Sequence, residues 1–131
     1  MVDALLVLQA AVTNTATANG TGLALPNGTA RRPLIARVLA SAFSAATGTS
    51  TVTFSVDQSA NGGTTWATLA SAAPITAAAV AASSEVFIPF VTPLADNANT
   101  ATQIRLTATF SGSGVTTPTI TYNCYIGDAM P

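Results

Sequence analysis

The chain reads as all-β: a two-sheet antiparallel β-sandwich, jelly-roll or immunoglobulin-like, of about seven or eight strands with no long helix. Three observations carry that expectation. Apolar and polar residues alternate with period two in several short runs, the pattern of half-buried strands. Turn signals rich in Gly, Asn and Ser fall between those runs at short spacing. No helix of ordinary length is needed to account for the pattern. At 131 residues the chain makes one domain with a single core, 1–131, in which 1–30 forms either an N-terminal arm or an edge strand.

Taken in order, residues 4–12 form a first strand or an amphipathic helical turn. Leu6 and Leu8 alternate with Leu5, Val7 and Gln9, so both faces are apolar and a strand here would lie between two layers or against a partner. Residues 13–29 are polar and punctuated by Asn19-Gly20 and Asn27-Gly28; they form a loop, or an irregular edge strand around Leu23, Ala24 and Leu25. Residues 34–43 make a strand with Ile35, Leu39 and Phe43 on one face beside Arg37. Arg31, Arg32 and Arg37 gather three of the four positive charges at this corner, either solvated or touching an acidic partner surface.

The clearest element is residues 51–69. Val52, Phe54 and Val56 alternate with Thr51, Thr53, Ser55 and Asp57, and Asn61-Gly62-Gly63 supplies positions that tolerate positive φ, as a hairpin turn requires. The only tryptophan, Trp66, opens the returning strand. Residues 70–84 are alanine-rich, but Pro74 and the β-branched Ile75, Thr76 and Val80 oppose a helix, leaving a loop with a short strand or a single helical turn. Residues 85–91 form a strand that Pro89 should confine to a sheet edge or a bulge. Residues 102–110 alternate with Ile104, Leu106, Ala108 and Phe110 inward, and residues 118–126 place Ile120, Tyr122, Cys124 and Ile126 on one face. The glycine-rich link between these two strands is expected to make them a second hairpin.

Composition excludes more than it identifies. Charged residues are 7% of the chain, against roughly a quarter in an ordinary domain. The surface is therefore built of Thr, Ser, Asn, Gly and Ala, weakly protected against self-association and suited to being covered by neighbours. The net charge of −1 gives little attraction to nucleic acid or anionic lipid. With no histidine, the usual base of a Ser or Cys nucleophile is missing, and the carboxylates Asp57, Glu85 and Asp96 lie far apart in sequence. Neither a zinc set, nor a calcium loop, nor a phosphate-binding glycine loop is present in the spacing, so no cofactor and no metal is expected. Cys124 is the only cysteine; a buried, inert thiol is its expected state. The start of the chain has no basic segment before its apolar run, which is too short to cross a membrane, so no secretion signal is read there.

The turn Ser59-Ala60-Asn61-Gly62-Gly63-Thr64-Thr65-Trp66 resembles the Asp-box S-x-D-x-G-x-T-W of sialidases and other propellers, with Asn61 where that family carries Asp. In it Ser59, Asn61, Gly62, Gly63, Thr65 and Trp66 serve a structural turn, and its single occurrence argues against repeated propeller blades. The same stretch resembles a hairpin common in tailed-bacteriophage virion proteins, including small head-decoration (cement) proteins with Thr/Ala/Gly-rich, low-charge β domains. That resemblance implies a non-enzymatic subunit made in the host cytoplasm and bound, often as a homotrimer, to the outer capsid surface, where it clamps major capsid protein subunits together. Partner contacts are then expected at Leu6, Leu8, Leu23, Leu25, Arg31, Arg32 and Arg37. The competing expectations are a carbohydrate- or receptor-binding β domain of a tail fibre or adhesin, and a tail-tube or tail-completion subunit. A sugar site would need exposed rings, for which Trp66, Tyr122 and Tyr125 are the candidates.

Overall fold

A computed structural model of the chain describes residues 2–14, 18–24, 33–44, 51–76, 83–92, 102–111 and 119–128. Every regular element among them is a strand: β1 (Val2–Asn14), β2 (Ala18–Asn19), β3 (Leu23–Ala24), β4 (Pro33–Ser44), β5 (Thr51–Ser59), β6 (Ala67–Ser71), β7 (Ile75–Thr76), β8 (Ser83–Val91), β9 (Gln103–Ser111) and β10 (Thr119–Asp128). They form two antiparallel sheets. The first has the order β1-β10-β4-β8. The second is centred on β9 and β5, with β2 and β3 in succession along the free side of β9, and β6 and β7 along the free side of β5. Each sheet is thus four strand positions wide.

The pairing has a simple rule. The first strand pairs with the last, the broken β2/β3 strand with β9, β4 with β8, and β5 with the broken β6/β7 strand. The chain is in effect one long hairpin folded over into two layers, which is the jelly-roll order. An immunoglobulin-like order would seat the first two strands side by side, whereas β1 and β2 lie in opposite sheets here.

The core is what the period-two pattern predicts for most strands. Val52, Phe54 and Val56 from β5 and Ile104, Leu106 and Ala108 from β9 face Ala36, Val38 and Ala40 from β4 and Ile120, Tyr122, Cys124 and Ile126 from β10. Across the gap the Phe54 and Tyr122 rings meet edge to face, 5.0 Å between centroids. The β5–β6 hairpin forms as expected, with Gly62 and Gly63 at φ 73° and 89°. Pro89 lies on β8, an edge strand, the position where a sheet tolerates a residue without an N–H.

Two open alternatives resolve and one expectation changes. Residues 4–12 are strand rather than helical turn, but β1 is the edge of its sheet, not a strand between two layers. Residues 70–76 contribute the end of β6 and the short β7, while 77–82 lie outside the described residues. Most consequentially, β9 and β10 are not a hairpin: β9 pairs with β5 and the β2/β3 strand, β10 with β1 and β4. A two-residue link forces neighbouring strands together. The longer link between Ser111 and Thr119 imposes no such pairing.

Cys124 is wholly buried, and desolvation raises its thiol to about 12. It should therefore resist alkylation in the native protein and react fully in denaturant, which mass spectrometry reads directly. The folded value stands above the ordinary 9.0, so the protonated thiol contributes stability below about pH 9 that is lost as pH rises through about 12. Over that window the wild type should lose stability more steeply than Cys124→Ala, by up to about 1.4 kcal/mol per pH unit in denaturant titrations.

Candidate interaction face

The outer face of the second sheet is closed by the chain's own polar groups. In the hairpin, the Ser59 hydroxyl donates to Asn61 Oδ1 (2.9 Å) and accepts from the backbone N–H groups of Asn61 (3.3 Å) and Gly63 (2.9 Å). Asn61 Oδ1 also accepts from Thr65 N–H (2.9 Å), and Asn61 Nδ2 donates to Thr65 Oγ1 (2.8 Å). The Trp66 indole N–H donates to the Gly63 carbonyl at 2.9 Å. Every specified position of the Asp-box-like pattern is thereby used in holding the turn. Gly63 is needed for its positive φ, which a side chain would strain.

Beside this turn, Asp57 stands on β5 directly opposite Arg105 on β9. Its carboxylate is buried and accepts from Thr107 Oγ1 (2.6 Å), Ser55 Oγ (3.3 Å) and Arg105 Nε (3.5 Å). The Arg105 guanidinium in turn lies over the Trp66 ring, 4.1 Å from its centroid. The β2/β3 edge closes the arrangement. Gly20 N–H donates to the Leu106 carbonyl at 2.7 Å, and a side chain at Gly22 would run into Gln103 and Trp66. The Trp66 face that a sugar would stack on is occupied by Arg105.

The outer face of the first sheet is different. On β4 the smaller residues, Ala36, Val38 and Ala40, point into the core, while Ile35 and Leu39 point away from it on either side of Arg37. On β8, Phe87 is 56% exposed and Val91 49%. The register sets Pro89 beside Ile35, Phe87 beside Arg37 and Glu85 beside Leu39, and β10 adds Tyr125 on the other side of Arg37. An apolar strip thus crosses three adjacent strands. The charges within it satisfy each other, since Arg37 Nε donates to Glu85 Oε1.

The residues expected to contact a partner scatter over this frame. Leu8 is in the core and Leu23 is half-buried against it, so neither presents a free apolar surface. Arg37 lies in the apolar strip, but its guanidinium is already paired with Glu85. Leu6 belongs to β1, whose side chain there is outside the described set, and Leu25, Arg31 and Arg32 are outside the described residues. Sequence reasoning did not single out Phe87, Pro89 and Val91. The signal was present in residues 85–91, whose apolar residues occupy both faces of a strand that Pro89 keeps at an edge.

Three substitutions test the turn. Ser59→Ala removes three hydrogen bonds and should destabilise by about 1–3 kcal/mol. Gly63→Ala, forced to positive φ, should lose about as much. Asn61→Asp keeps its oxygen acceptor, and the Thr65 hydroxyl can turn to donate, so its unfolding midpoint should stay within about 0.5 kcal/mol of wild type.

Among the described residues, no three His, Cys, Asp or Glu side chains gather as a metal set, and no helix is long and apolar enough to cross a membrane. No family model matches the chain, and neither does any curated protein or solved structure.

Proposed function

We propose that this chain is a non-enzymatic structural subunit that works by packing against other protein surfaces, as a decoration or cement protein on the outer face of a phage capsid does. The observation that carries the proposal is the outward apolar strip of the first sheet, with Phe87 and Val91 about half exposed on an otherwise small and polar surface. Such a strip is unfavourable in water and is relieved by contact with a second surface. The charge inventory supports the same reading. The four charged side chains described, Arg37, Asp57, Glu85 and Arg105, form two pairs within the chain, leaving apolar burial and shape as the means of recognition. The hairpin's resemblance to tailed-phage virion proteins supplies the capsid as the setting and the major capsid protein as the partner. A sugar-binding role keeps Tyr125 alone of its three candidate rings, because Arg105 lies over the Trp66 ring and Tyr122 is buried.

Shells assembled without the protein test this. Added back, it should co-sediment with them saturably at a fixed ratio to the major capsid protein, and raise the temperature at which they open. Shells that neither take it up nor gain heat resistance would remove the capsid reading.

A further inference from the structure

Resting on the reading of this strip as an assembly surface, we infer that, while the protein is off the capsid, the outer face of the first sheet is covered by the same face of a second copy of this chain, packed about a two-fold axis. Four features of the face lead there.

The first is the inverted size order on β4. Ala36, Val38 and Ala40 face the core with Leu34 packed at its margin, while Ile35 and Leu39, each half-buried, face out, a choice that wastes apolar volume unless the outer face is also covered. Nothing similar occurs on β9, where Gln103, Arg105, Thr107 and Thr109 take the outer positions.

The second is charge. A two-fold contact needs a surface that is its own complement, because each residue meets the same patch on the other copy. A strip bearing net charge would repel itself, and one built for a charged partner would leave that charge unpaired. Here Arg37 and Glu85 neutralise each other within the apolar strip, so two copies close on one another without burying an unmatched ion.

The third is the edge. Pro89 interrupts the N–H groups of β8, which disfavours growth of the sheet by adding a strand from a neighbour and leaves the face as the surface for association.

The fourth is extent. Strands about 4.8 Å apart, rising about 3.3 Å per residue, make the three-strand strip on the order of 400 Å² in projection. That is about half of the roughly 800 Å² of accessible surface that each partner contributes to a standard interface, the size of a pair that dissociates on dilution. A pair of copies also departs from the trimer that the phage resemblance implies, so the two are separable by mass.

Light scattering over a dilution series, on the whole chain, provides the test. The wild type should give twice the monomer mass. Phe87→Asp and Val91→Asp, both at exposed positions, should give folded monomers with unchanged circular dichroism, their dissociation constants raised at least tenfold. Thr109→Asp, on the outer face of the other sheet, should leave the dimer intact. Arg37→Glu should break it by setting four acidic side chains on one interface, and Arg37→Glu combined with Glu85→Arg should restore it. A wild-type monomer at every concentration, or an oligomer of any size that survives both Phe87→Asp and Val91→Asp, overturns the inference. Shell binding distinguishes its failure from that of the capsid reading. A monomer that still decorates shells would overturn only the two-fold contact, and a Phe87-dependent dimer that ignores shells would overturn only the capsid role.

Discussion

The structure depends on one constraint, that a chain with few large side chains must close a core between two sheets. Among the described residues, Phe54 and Tyr122 bring their rings together across that gap, and they come from β5 and β10, interior strands of opposite sheets. Their edge-to-face contact ties the two layers where the strands around them contribute mainly valine, isoleucine and alanine. Pairing the first strand with the last makes this possible, because it draws β10 into the middle of the first sheet. Had β10 paired with β9 instead, Tyr122 and Phe54 would have lined the same sheet, and the small residues of β4 would have faced a void.

Much of this was legible in the sequence where a strand buries one face only. The inward rows of β5, β9 and β10 follow directly from alternation in residues 51–57, 102–110 and 118–126. The hairpin at Asn61-Gly62-Gly63 was equally plain, because its residue types are demanded by backbone conformation rather than by distant contacts. What was not legible is which strands pair. Alternation says that a strand has a core face but is silent on its neighbours, and the length of the link between β9 and β10 decides between a hairpin and an arch only weakly. The broken edges were partly visible: Leu23 and Ala24 do pair with β9, yet the close approach at Gly20 depends on the Leu106 carbonyl, far along the chain.

The candidate site was hidden by the same limit. The buried side of β1 could not be told from its other side in a run apolar on both faces, and the arginine corner suggested an acidic partner because Glu85 was not yet known to lie beside Arg37. The residues that matter most, Phe87 and Val91, alternate with Val86, Ile88 and Phe90 in a run whose two faces look equally apolar. Only the sheet topology tells which face is spare. A doubly apolar strand at a sheet edge is thus the sequence feature that, with the fold in hand, points to an interaction surface.

The two outer faces show how such a chain divides its labour. On the second sheet, Asp57, Arg105, Thr107 and the Asn61 turn consume one another's hydrogen-bonding capacity, and Trp66 is spent on Arg105 and the Gly63 carbonyl. That face is finished within the chain. On the first sheet the Arg37–Glu85 pair is likewise internal, but among the described residues Phe87 and Val91 beside it stay about half exposed to water. Closing one face and leaving the other open makes association directional, since only one side gains from contact. With so little net charge to orient an encounter, that asymmetry between faces is the property through which the assembly proposed above would be directed.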